Sequence, residues 1–170
     1  MLCTDVDEIV APDPRGGDPG DYIDRFTGDY VTCTGYEILH QRDTEPPLDL
    51  ARPVLDQRST WFPNPLYSKP LPARVPMAWR GGFHERVDGQ RRSEPSLYLI
   101  HLHRGDYEIC LNRHRTRLIH RWAQDDIDNH RGYQNRIVEP EKFHHWLYRD
   151  RCNGDPVHPE PVPDHWRSLL

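Results

Sequence analysis

Proline sets the first limit on what this chain can become. Through residues 41–76 it recurs so often that only short pieces of regular structure fit, because each proline fixes φ and withdraws a backbone N–H donor. The result is a connection of about 35 residues, a length that in a compact domain marks a functional loop. Prolines number 17 in 170 residues, and they gather again near the end in D-P-V-H-P-E-P-V-P-D-H-W, predicted to run extended.

Around these stretches, strand-like and helix-like segments alternate. Residues 2–6 read as a short buried strand that ends at the carboxylates Asp5, Asp7 and Glu8. Asp18 is placed to cap a helix that accepts Pro19 in its first turn, with Tyr22, Ile23 and Phe26 on one apolar side. Residues 30–39, Y-V-T-C-T-G-Y-E-I-L, are rich in β-branched and aromatic types and predict the next strand. Residues 96–103, S-L-Y-L-I-H-L-H, give the clearest strand. It leads into a helix over 106–124 in which Tyr107, Cys110, Leu111, His114 and Leu118 recur at helical spacing. A second helix over 139–148 opens with Pro140 and turns Phe143, Trp146 and Leu147 to one side. Such alternation predicts an α/β layer arrangement, whose ligands gather at the carboxyl ends of strands. No internal repeat is visible.

The length suits one domain with a core, but with 35% hydrophobic residues and a mean hydropathy of -0.90 that core is modest. No apolar run approaches the roughly 18 residues of a membrane span, and no basic-then-apolar leader opens the chain. A soluble, cytoplasmic product is the expectation. Cys3, Cys33, Cys110 and Cys152 are scattered without a C-x-x-C pair, which suggests reduced thiols in place of a zinc knuckle or a disulfide framework.

The net charge of -5 hides a gradient: residues 1–60 carry 13 acids against 5 bases, and residues 61–125 carry 11 bases against 6 acids. An acidic front can hold a metal while a basic middle meets phosphate. Nucleic acid is not expected, because the whole chain is acidic and lacks the basic and aromatic alternation of binding modules.

Asp is depleted in strands, so an acid cluster beside an apolar run calls for a reason. Asp5 and Asp7 lie two apart, on one side of an extended backbone, where they can approach a divalent cation; hard ions such as magnesium or manganese take carboxylate oxygens together with substrate phosphates. A solvated strand end is the plainer alternative. Lys69, Arg74, Arg80 and His84 follow the proline-rich connection, near Gly81-Gly82, as candidate phosphate or metal contacts. His101 and His103 alternate in a strand and so face one way, and Arg104 directly after them can neutralise a leaving diphosphate. Satisfied structural histidines and a solvated basic helix face are the alternatives there.

In order along the chain, T-D-V-D-E-I-V-A-P-D-P, T-G-Y-E-I-L-H, L-D-L-A-R-P-V-L-D-Q-R, Y-S-K-P-L-P-A-R, W-R-G-G-F-H and L-I-H-L-H-R-G-D-Y resemble family 2 glycosyltransferases with a GT-A fold, over about residues 3–125. The resemblance implies a partial, Rossmann-related mixed sheet with flanking helices. It implies a divalent metal, Mn or Mg, held on the diphosphate of a nucleotide-sugar donor by Asp5 and Asp7, with His84, or second His103, completing the site. Lys69, Arg74, Arg80 and Arg104 would face the donor. The chemistry implied is inverting transfer of the sugar to a glycan or other hydroxyl acceptor, with Asp49, Asp56 or Glu37 as the base. In that fold the nucleotide-binding half precedes the D-x-D strand. The resemblance thus implies that residues 1–150 correspond to an N-terminally truncated metal and acceptor half, followed by a tail over 151–170; a truncated reading frame, a fragment, or one part of a split protein whose missing segment is supplied in trans are the alternatives. A non-catalytic partner and a metal-dependent phosphoesterase are the competing readings.

Overall fold

The first strand starts where the carboxylates end. In the computed structural model, which describes residues 2, 4–80, 83–90, 92–130, 132–150 and 154–167, strand β1 spans Glu8–Pro12. Its β-branched Ile9 and Val10 suit a pleated surface. The strand expected over residues 2–6 is displaced: Leu2 makes only an isolated bridge to Pro72, and Val6 and Asp7 occupy a turn. Neighbouring carboxylates repel one another and seek cations, so the acids sit at the mouth of a strand and not at its carboxyl end.

Helix α1 (Pro19–Arg25) begins as its sequence predicts, with Asp18 accepting a hydrogen bond from the Gly20 amide and Pro19 in the first turn. Strand β2 (Thr32–Ile38) follows. The proline-rich connection holds a one-turn helix α2 (Val54–Gln57), a short strand β3 (Thr60–Pro63) and a 3-10 turn at Pro65–Tyr67. Strand β4 (Ser93–His101) stops two residues short of the predicted His103. Helix α3 (Tyr107–Ile119) also ends early, and Gln124–Asp128 form a separate short helix α4. Helix α5 (Pro140–Leu147) and the two-residue strand β5 (Glu160–Pro161) complete the order.

The sheet runs β1-β4-β2-β3-β5. β2 and β4 are parallel, and the other pairings are antiparallel. The architecture is therefore mixed α/β, one five-stranded mixed sheet with flanking helices. Among the described residues no helix is long and apolar enough to cross a membrane.

Alternation along the strands divides the core. On one face Cys33, Leu97 and Leu99 pack with Tyr67 and Leu71, under the half-buried Tyr22 of α1 and the adjoining Phe26. On the other, Ile38, Trp61 and Ile100 pack with Leu55, Val162 and Trp166, so the extended tail supplies a fully buried indole. α3 and α5 form a third cluster through Tyr107, Cys110, Leu111, Phe143, Trp146 and Leu147.

A buried arginine fastens the proline-rich connection to the start of α3. Arg58 donates to the Gly105 carbonyl, to the Pro46 carbonyl at 3.0 Å and to Asp106 Oδ2 at 3.1 Å. Asp106 in turn caps α3 by accepting from the Ile109 amide at 2.9 Å. This clamp holds the turn between β4 and α3, which carries His103 and Arg104.

Candidate metal and ligand site

Strand register builds the site. His101 is the cross-strand partner of Glu8 on β1 and of Glu37 on β2, so the three side chains share one face. They lie at the carboxyl ends of the parallel strands β2 and β4, where ligands gather in sheets of this kind. His101 donates from Nδ1 to Glu37 Oε1 at 2.9 Å, and its Nε2 stands 3.4 Å from Asp7 Oδ2. Asn64 donates to the second Glu37 oxygen at 2.9 Å, with Arg104 Nε 3.5 Å from that oxygen.

Electrostatics follow from this arrangement. Burial works against a charged imidazole, but the Glu37 charge and the hydrogen bonds to Asp7 and Glu37 carry His101 up to about 9. Burial would likewise raise the Glu37 carboxyl, yet the charges of Arg104 and His101 bring it down to about 2. Asp7 resists burial through His101 and then Arg113, whose Nη1 donates to it at 2.8 Å, and its carboxyl falls well below the usual range. In the metal-free protein the result is an imidazolium clasped between two carboxylates, and an ion bound at Nε2 would displace its proton.

His103 lies in the turn after β4, so strand alternation does not orient it. The turn itself brings its Nδ1 within 3.7 Å of Asp7 Oδ2. Burial, reinforced by the charges of His101 and Arg113, drives His103 down to about 3 and keeps it neutral. Donor atoms of Asp7, His101 and His103 all lie within 4.8 Å of one another. One carboxylate oxygen and two imidazole nitrogens suit Mn2+ better than Mg2+, which favours oxygen throughout. Glu37, bonded to the far nitrogen of His101, is the outer partner that metal-binding histidines require.

The other sequence candidates are distributed unevenly around this centre. Asp5 and Asp7 diverge to different cations: Asp5 accepts from Lys69 Nζ at 3.2 Å, and the same ammonium donates to Glu8. Lys69 is fully buried and Asp5 is half exposed. Arg104 is also turned inward, donating to the Leu147 and Arg149 carbonyls at 2.9 and 2.8 Å. Neither cation faces solvent, where a diphosphate would arrive. His84 is exposed and donates from Nδ1 to the Leu66 carbonyl at 2.6 Å. Its ring is 6.1 Å from Tyr67, which stacks on His101, so it stands one aromatic ring away from the Asp7 group. Arg74 and Arg80 are exposed, and Arg74 donates to the Ile23 carbonyl at 3.2 Å. Asp49 is exposed and accepts from the Ala51 amide at 3.0 Å, and Asp56 lies in α2. Gly81 and Gly82 fall outside the described residues.

Sequence reasoning missed Arg113 as the partner of Asp7 and undervalued His101, which reads as a satisfied structural histidine in a strand. It also missed that His103, Cys110 and His114 meet, with donor atoms within 4.8 Å of one another. The signal for the last pair was present, since Cys110 and His114 are four apart on a helix, but it merges with the apolar periodicity of α3.

Comparison of the chain with protein-family models, with curated proteins and with solved structures finds no match.

Proposed function

We propose that this chain is glycosyltransferase-like and acts in metal-dependent, inverting transfer of a sugar from a nucleotide-sugar donor to an acceptor hydroxyl, within a GT-A-like fold. The observation that carries the reading is the convergence of Asp7 Oδ2 with His101 Nε2 at 3.4 Å and His103 Nδ1 at 3.7 Å, at the carboxyl ends of the parallel strands. A bound divalent ion would supply positive charge against the donor's diphosphate.

The protein's own groups divide the remaining work. Arg113 keeps part of its guanidinium in solvent beside Asp7, which fits it better to a diphosphate oxygen than the buried Lys69 or Arg104. Glu37 is committed to His101, Asn64 and Arg104, and a strong, buried acid is a poor proton acceptor. Its role on this reading is to position His101, which leaves Asp49 and Asp56 as the candidate bases.

Calorimetry with Mn2+ and a panel of nucleoside diphosphates tests the proposal. Binding should require the metal and should fall at least tenfold in Asp7→Asn. Equal binding with and without Mn2+ refutes it. One observation favours a second reading: Asp5 and Asp7 are already neutralised by Lys69, His101 and Arg113. A purely structural ion network in a non-catalytic partner would bind neither metal nor nucleotide.

A further inference from the structure

We propose that His103, Cys110 and His114 form a second metal site, built for one Zn2+ ion, which shares His103 with the Asp7 group. It does not depend on the sugar-transfer reading: with zinc on His103 Nε2 and a proton on Nδ1, Asp7 and His101 alone would be left to the other ion. His103 Nε2 and His114 Nε2 are 3.1 Å apart, and Cys110 Sγ is 3.9 Å from His114 Nε2. Tetrahedral zinc, with Zn–N near 2.0–2.1 Å and Zn–S near 2.3 Å, places adjacent donors roughly 3.3–3.6 Å apart. Both pairs thus lie within a few tenths of an ångström of zinc geometry, and the third, His103 with Cys110, lies within 4.8 Å.

Local structure aims each donor. Cys110 and His114 are one turn apart on α3, and both are buried. His114 donates from Nδ1 to the Ile137 carbonyl at 2.9 Å, which fixes its tautomer and turns the Nε2 lone pair inward. Trp146 packs 5.6 Å from the His103 ring and 4.9 Å from the His114 ring, and Phe143 lies 5.1 Å from His114. The donors therefore meet inside an aromatic wall, where polar atoms need partners.

The two imidazoles point the same way. The His114 Nε2 lone pair meets His103 Nε2 at 3.1 Å, and a zinc ion between them would take a lone pair from each ring, leaving the His103 proton on Nδ1, the side that faces Asp7. The donor set of two imidazoles and a thiolate selects zinc over magnesium, calcium or manganese. As the Zn–S bond forms, the Cys110 thiol proton passes to solvent.

The full chain, stripped with a chelator and titrated with Co2+, provides the test. One equivalent should give tetrahedral visible absorption with a thiolate-to-cobalt charge-transfer band, and Zn2+ should bleach both. Cys110→Ser should abolish the charge-transfer band, and both Cys110→Ser and His114→Gln should weaken Zn2+ at least tenfold. Asp7→Asn should keep the band, so loss of the Mn2+ site and loss of this one are told apart. Cys3→Ser, Cys33→Ser and Cys152→Ser should also keep it. X-ray absorption of the zinc-loaded wild-type protein decides the case even where a variant does not fold: one sulfur and two imidazole nitrogens are expected. A shell without sulfur, or a charge-transfer band that survives Cys110→Ser, overturns the proposal.

Discussion

The ring of Tyr67 lies over that of His101, with 3.8 Å between centroids and 24° between planes. One side chain comes from a turn in the proline-rich connection and the other from the end of β4, so this contact ties the long loop to the charged centre. Lys69 Nζ sits 5.5 Å from the Tyr67 centroid, so the same phenol ring borders both the Lys69 ion pairs and His101.

Gly35 makes that contact possible. A Cβ there would stand 2.6 Å from the Asn64 carbonyl oxygen and 2.7 Å from the Ser68 amide nitrogen, both backbone atoms that cannot swing aside. Gly35→Ala should therefore push the Asn64–Ser68 turn off the sheet, at a cost of about 3 kcal/mol. Urea unfolding measures the loss. A variant as stable as wild type would show that the turn does not need this close approach.

Stability should depend on pH through the clasp. His101 is raised from an ordinary 6.5 to about 9, so its contribution is complete below pH 6.5 and is lost as pH rises through 9. Glu37 is lowered from 4.5 to about 2, so its contribution is present above pH 4.5 and is lost as pH falls through 2. His103, lowered from 6.5 to about 3, works the other way and subtracts stability as pH falls below 6.5, so metal-free protein should be most stable near pH 6.5 and decline by roughly 2–3 kcal/mol between pH 6.5 and 9. His101→Gln should remove that alkaline decline, as followed by denaturant midpoints across pH.

Lys69 and Asp5 should respond very differently to replacement. Lys69→Met strands the buried Glu8 carboxylate without its cation, a loss of about 3–5 kcal/mol. Asp5→Asn removes the half-exposed partner of the same ammonium and should cost under about 1 kcal/mol. Chemical denaturation of the two variants checks the contrast.

The tail should prove part of the core. Trp166 packs edge-on against Trp61 at 5.8 Å and Tyr98 at 4.9 Å, and it is almost completely buried. Trp166→Ala should cost about 3–5 kcal/mol and lower the thermal midpoint by several degrees, as calorimetry would show.

Local chemistry made much of the fold legible. Asp18 and Pro19 announce α1, the β-branched run announces β2, and the 3.6-residue spacing announces α3 and α5, because capping and periodicity act within a few residues. β3 stayed hidden because its four residues lie among prolines, and it is a strand only because β2 is there to pair with it. The expected strand over residues 2–6 moved for the same reason: β4 offers its register to Glu8–Pro12.

The site divides along the same line. Sequence alone identified Asp7 and His103 as metal-ligand types and Glu37 as a carboxylate at a strand end, since residue chemistry is local. That Glu37 grips His101, that Lys69 and Arg104 turn inward, and that His103 meets Cys110 and His114 were decided by strand register and by the packing of α3. Those contacts join residues far apart in the chain, and only the folded sheet sets which charges neutralise one another.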